Sequence, residues 1–147
     1  MTGVIDIPNG PYLLVVDDDE EDVFAFKWAL KSVSPEVQVV HTTDGAAALD
    51  FLLALTEEDD LPQIILVDIN MPGVNGFETL AAIRNSKITQ HLPVIMFSTS
   101  DSPTEIRNAY LAGANAHLVK RNSIKELKVM ASALATFWLQ QAALPGR

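Results

Sequence analysis

Five short apolar runs recur along this chain, and four of them stop abruptly at a reactive polar residue. Tyr12–Val16 runs into Asp17 and Asp18, Ile64–Val67 into Asp68, Val94–Phe97 into Ser98, and His117–Val119 into Lys120; Val37–Val40 is the remaining run. Segments this short and sharply bounded suit strands buried on both faces. Between them the apolar residues fall at helical spacing. Val23, Phe24, Phe26, Trp28, Ala29, Leu30 and Val33 form one such stretch, stopped by Ser34-Pro35, and Ala47, Ala48, Phe51, Leu52 and Leu55 form another behind an Asp44-Gly45 cap. Phe77, Leu80, Ala81 and Ile83 follow the turn Met71–Gly76, and Asp101-Ser102-Pro103 opens a short helix that Gly113 closes. The last helix starts near Asn122-Ser123, with Ile124, Leu127, Met130, Ala131, Leu134, Phe137 and Trp138 predicted on one broad face. Glu57–Pro62 reads as an acidic surface loop.

Strands alternating with helices predict an α/β fold, a doubly wound parallel sheet with helices on both sides. In such sheets the carboxyl ends of the strands converge on one rim, where ligands bind. The polar residues that end the runs are therefore expected to meet.

A length of 147 residues fits one domain, and an apolar fraction of 48 % supplies a core. The reading is a flexible leader over 1–11, a folded domain over 12–141 and a short tail over 142–147. A net charge of −9 disfavours nucleic acid and anionic membranes as partners. The absence of cysteine excludes disulfides, thiolate metal sites and a cysteine nucleophile. Val129–Leu139, the richest apolar stretch, is too short to span a bilayer, and Met1–Pro11 lacks the pattern of a secretory signal. The expectation is a cytoplasmic protein.

If Asp17, Asp18 and Asp68 meet at the rim, carboxylates about 4–5 Å apart repel by roughly 3–4 kcal/mol at an effective dielectric near 20. Such a group raises its proton affinity or binds a cation, and an all-oxygen donor set suits Mg²⁺. Asp68 ends the most apolar run and is expected at the centre, where a carboxylate can attack phosphorus. Lys120 offers a point charge to a phosphoryl oxygen, the Ser98 hydroxyl a hydrogen bond, and the Asn70 backbone carbonyl a further metal ligand. Each residue alone has an ordinary reading: a solvated acidic turn at Asp17–Asp22, a strand-end cap at Asp68, a surface lysine, a turn hydroxyl. An EF-hand over Asp17, Asp19 and Glu21 fails because Asp22 stands where glycine is needed. The joint arrangement on four strand ends is what points to phosphoryl chemistry.

Val15-Val16-Asp17-Asp18, Leu66-Val67-Asp68-Ile69-Asn70-Met71-Pro72-Gly73 with Gly76, Pro93-Val94-Ile95-Met96-Phe97-Ser98-Thr99 and Leu118-Val119-Lys120 together resemble a response-regulator receiver domain, over about Tyr12 to Leu139. The resemblance implies a flavodoxin-like (βα)5 fold with strand order 2-1-3-4-5. It implies Asp68 as phosphoacceptor fed by a histidine kinase. Mg²⁺ would be held by Asp17, Asp18, Asp68 and the Asn70 carbonyl, with Ser98 and Lys120 sensing the phosphoryl group. Signalling would pass through the fourth helix, strand five and fifth helix. The run Ser98-Thr99-Ser100, the loop Glu57–Pro62, and Phe137-Trp138-Leu139 followed by Leu144-Pro145 are similar to stand-alone receivers paired with bacterial phytochromes. Those commonly act without an output module and form homodimers, here expected through the last helix and strand five.

Two positions depart from the family pattern. Arg121, not proline, follows Lys120, so a cis bond there is disfavoured by about 2.5–4 kcal/mol. His117 stands at the usually aromatic switch position; it would either move inward as Ser98 turns toward the phosphoryl group or be a partly exposed edge-strand histidine. Other functions fit less well. A haloacid-dehalogenase-like phosphohydrolase needs an aspartate where Asn70 stands, and a phosphate-independent adaptor has no use for the full polar set. A flavin-binding flavodoxin would not gather three acids against a phosphate.

Overall fold

The computed structural model describes residues 5–57 and 60–145. The first four residues of the expected leader, part of the acidic loop and the last two residues of the tail lie outside the described residues. Five parallel strands form one sheet: β1 (Tyr12–Val16), β2 (Gln38–Thr42), β3 (Ile64–Asp68), β4 (Val94–Ser98) and β5 (Ala116–Val119), in the order β2-β1-β3-β4-β5. This is the strand order of the flavodoxin-like fold. The helices are α1 (Glu20–Val33), α2 (Gly45–Leu53), α3 (Gly76–Asn85), α4 (Pro103–Leu111) and α5 (Ile124–Leu134), the last continuing into a π-helical segment, Ala135–Gln141.

Because successive strand residues face opposite sides of a sheet, β1 feeds two cores. Leu13 and Val15 pack with Val23, Phe26, Ala29 and Leu30 of α1 and with Leu127, Met130, Ala131 and Leu134 of α5. Tyr12, Leu14 and Val16 pack with Ala48, Phe51 and Leu52 of α2, Leu80 and Ile83 of α3, and Ala109 of α4. All five residues of β1, β3 and β4 are buried, which accounts for their unbroken apolar runs. The edge strands β2 and β5 are only partly buried.

Short polar side chains start each of the helices α1 to α5. Asp19 accepts from the Glu21 and Asp22 N–H groups at α1, Asp44 from Ala47 at α2, Ser102 from Glu105 at α4 and Ser123 from Glu126 at α5. Asn75 and Glu78 form a reciprocal capping box at α3. Gly76 is required by proximity: a Cβ there would sit 2.5 Å from the Asp68 carbonyl oxygen and 2.6 Å from Ile69 Cα.

Three expectations need correction. The second strand is Gln38–Thr42, one residue later at its start and two at its end than the apolar run, because pairing with β1 carries the ladder to Val16↔Thr42. The second half of the expected surface loop turns inward, with Leu61 in the core and Pro62 buried. On the last helix Ile124 and Phe137 are exposed, at 48 % and 56 %. The helical period breaks there, since the Ala142 N–H donates to the Phe137 carbonyl five residues back. That slip keeps Trp138 and Leu139 against the core and turns Phe137 outward.

Candidate functional site

Asp17 and Asp18 directly follow β1 and Asp68 ends β3, adjacent strands in the sheet, so their carboxylates share the rim. One oxygen from each lies within 4.8 Å of the others. Asp17 and Asp68 are buried while Asp18 is exposed. Asp17 is fixed from several directions: Oδ1 accepts from the Asp19 N–H at 2.9 Å, the backbone N–H donates to the Thr42 carbonyl, and His41 Nε2 lies 2.8 Å from the Asp17 carbonyl oxygen. Asp68 Oδ1 accepts from the Asn70 N–H at 3.3 Å. The turn after β3 thus folds back on the carboxylate it follows.

Lys120, just beyond β5, reaches across β4 to this cluster. Its Nζ lies 2.8 Å from Asp17 Oδ2, 2.9 Å from Asp22 Oδ2 and 3.6 Å from Asp68 Oδ2. It also sits 5.6 Å from the centre of the Phe97 ring. The Lys120 N–H donates to the Ser98 carbonyl, continuing the β4–β5 ladder and fixing where the side chain starts. All peptide bonds among the described residues, the one between Lys120 and Arg121 included, are trans.

The electrostatics follow from this geometry. Burial pushes the Asp68 carboxyl up from its ordinary value of 3.8 to about 7; Lys120 opposes the rise, Asp17 and Asp18 add to it, and the Asn70 N–H lowers it. Lys120 sits nearer Asp17 and Asp22 than Asp68, so its charge does not cancel the cost of burying Asp68. Burial alone would lower the Lys120 ammonium, but hydrogen bonds to Asp17 and Asp22 and the charges of Asp17 and Asp68 raise it on balance. Three acids with all-oxygen donors and one of them reluctant to ionise form a cluster that can hold a metal ion.

Ser98 and His117 complete the set. The Ser98 backbone is tied to Lys120, but its hydroxyl donates to Glu105 Oε1 of α4 at 2.9 Å. His117 lies on the edge strand β5 and is partly exposed through its backbone, while its ring is fully buried. Sequence patterns did not single out Asp22, His41 or Glu105. Asp22 lies one helical turn beyond Asp18, and Glu105 occupies the third helical position after the Ser102 cap, a spacing visible in the sequence. Their links to Lys120 and Ser98, however, exist only once β4, β5 and α1 are assembled.

The family pattern described as the response regulator receiver domain matches residues 13–132. The chain belongs to that family. Receivers act in two-component systems with histidine kinases, generally as phosphorylation switches. Response regulator Rcp1 of Synechocystis sp. is 30 % identical over 135 residues, covering 90 % of this chain and 92 % of its own. The Mn²⁺-bound structure of Rcp1 superposes with a TM-score of 0.81 at 29 % identity, over 92 % of this chain and 99 % of that one. The phosphorylated cyanobacterial phytochrome response regulator RcpA gives a TM-score of 0.83 at 28 % identity, over 93 % and 99 %. RPA3017, a response regulator in red light signaling of R. palustris, gives 0.84 at 31 % identity, over the same shares. This receiver therefore has phytochrome-linked homologues that match it along nearly their whole length.

Proposed function

We propose that this receiver accepts a phosphoryl group on Asp68 from a histidine kinase in a Mg²⁺-dependent reaction. The observation that carries the reading is the meeting of Asp17, Asp18 and Asp68 within 4.8 Å, with the Lys120 ammonium between Asp17 and Asp68. Asp17, Asp18, Asp68 and the Asn70 carbonyl would hold Mg²⁺, whose chemistry when bound is to neutralise charge on the incoming phosphoryl oxygens. An Asp68 carboxylate oxygen attacks phosphorus, an O–P bond forms, and the bond from phosphorus to the donor nitrogen breaks with its electron pair leaving on the donor imidazole. Lys120 places its positive charge beside one phosphoryl oxygen, and the Ser98 hydroxyl donates to another. Asp17, hydrogen-bonded to Lys120, aims that charge at the reacting centre.

The ordering of Ser98 toward Asp68 would change the α4–β5–α5 face, with His117 as its buried switch residue. A bacterial phytochrome is the kinase favoured by the similarity to RcpA and RPA3017. The receiver works in the cytoplasm as a homodimer through α5 and β5, built from a leader over 1–11, a domain over 12–141 and a tail over 142–147. Turnover is confined to its own phosphorylation and dephosphorylation. Acetyl phosphate with Mg²⁺ is expected to add one phosphoryl group by intact mass. Asp68→Asn abolishes the gain; an undiminished gain in that variant removes Asp68 from the role.

A further inference from the structure

The Ser98 hydroxyl carries one hydrogen to donate, and that hydrogen is already committed. Ser98 Oγ donates to Glu105 Oε1 at 2.9 Å and accepts from the Ser100 N–H at 3.1 Å. Donating to a phosphoryl oxygen therefore requires Ser98 to leave Glu105. The same Glu105 oxygen lies 4.0 Å from His117 Nε2. The His117 ring is fully buried, and neither of its nitrogens has a hydrogen-bond partner. An unpartnered buried polar ring is unfavourable, and a rearrangement that gives it a partner recovers that cost.

Among the described residues, the acid that faces the ring is Glu105. α4 also brings Tyr110, whose hydroxyl accepts from the His117 backbone N–H at 3.3 Å, and Arg107, which is exposed. β4 brings Met96, the register partner of His117, and Ser98 two residues on; the strand has no charged residue. Ala116 and Leu118, the neighbours of His117 on β5, face the opposite core with α1 and α5.

We propose that Glu105 is a positioning residue for Ser98, holding its hydroxyl off the phosphoryl site until a protonated His117 draws the carboxylate away. In the resting state Glu105 takes the Ser98 hydrogen and the imidazole stays neutral. When Ser98 turns to the phosphoryl group, the Glu105 carboxylate loses its donor. A proton from solvent on His117 then supplies a charged replacement across a gap that needs to close by only about 1 Å to reach charge-assisted hydrogen-bond length. By linkage the coupling is reciprocal: phosphorylation promotes protonation of His117, and acid promotes the phosphorylated conformation. The proposal rests on Ser98 contacting the phosphoryl group on Asp68.

Beryllofluoride, which seats on a carboxylate as a phosphoryl mimic, tests it in the intact protein. Imidazole nitrogen spectra of the wild type with Mg²⁺ at about pH 7 are expected to move His117 from the neutral to the imidazolium pattern when beryllofluoride is added. This readout needs no variant. Beryllofluoride affinity between about pH 8 and pH 6 in wild type, Glu105→Gln and His117→Phe supplies the second. Asp68 titrates in all three, so the ratio of wild-type to variant affinity isolates the contact. That ratio rises about fivefold or more toward acid. Glu105→Gln, which keeps an oxygen for Ser98 but no charge, follows His117→Phe. A His117 ring neutral in both states, or a flat ratio, overturns the proposal and leaves Asp68 as acceptor. Failure of the wild type to bind beryllofluoride at any pH overturns the acceptor reading and this proposal with it.

Discussion

Asp68 holds its proton far above the ordinary carboxylate range because it is buried beside two other acids, and the stability of the metal-free receiver should record this. The sign is set by the neutral form being favoured in the folded state. Asp68's contribution is fully present below the unfolded value of 3.8 and is lost as pH rises through about 7. Asp68→Asn resembles the neutral acid at every pH. In urea denaturation with chelator it should match the wild type near the acid end of this window and exceed it above neutrality, by on the order of 1–3 kcal/mol. Saturating Mg²⁺ narrows the gap, because a cation that binds only the folded site stabilises the ionised wild type. A wild type as stable as Asp68→Asn above neutrality without metal would contradict a raised proton affinity at Asp68. The identities of Asp17, Asp18, Asp68, Ser98 and Lys120 were legible in the sequence because each ends an apolar run. The partners that restrain them were not: Asp22 meets Lys120 from 98 positions away, and no local pattern encodes that distance.

Among the elements, the start of α3 bears most directly on the site. Gly76 lets the helix begin against the carbonyl of Asp68, while the Asn75–Glu78 box closes its first turn. These two features separate stability from positioning. Asn75→Ala loses a cap, costs about 1 kcal/mol and should leave acetyl phosphate labelling near the wild-type rate. Gly76→Ala pushes a methyl into backbone that cannot yield, which costs about 1–3 kcal/mol, and shifts the strand end that carries Asp68. Labelling is then expected to slow by roughly tenfold or more, since displacements of an ångström at a reacting group are costly. Equal labelling rates in the two variants, measured where both remain folded, would remove Gly76 from the positioning of Asp68. Element boundaries were legible wherever a cap or a proline marked them, as at Asp44, Ser102-Pro103 and Ser123. The end of α5 was not, because the α-helical period that correctly gathers Leu127, Met130, Ala131 and Leu134 gives no warning of the π-helical slip beyond them.

At the scale of the whole molecule, the two edges of the sheet are unequal partners for self-association. β5 is four residues long and half-buried throughout, and it is flanked by apolar side chains on both neighbouring helices: Tyr110 and Leu111 on α4, and Val129 on α5, which is 65 % exposed. An unpaired edge beside an apolar helix face is a surface that a second copy can cover through a two-fold contact, each copy presenting the same patch. The net charge of −9 works against that contact, since both copies carry it. The proposed dimer should therefore tighten with salt, in contrast to an interface made of ion pairs, because screening at about 1 M shortens the reach of the repulsion to about 3 Å. Val129→Glu adds a charge to the α5 side of the patch, at a site exposed enough for the fold to tolerate it. Sedimentation equilibrium is expected to show the wild type shifting toward dimer as salt rises and Val129→Glu remaining monomeric throughout. Phe137→Ala tests the π-helical segment in the same experiment, and it shifts the equilibrium only if the interface extends past α5. A wild type that stays monomeric at high salt, or a Val129→Glu variant that dimerises like the wild type, rules out the β5–α5 face as the contact.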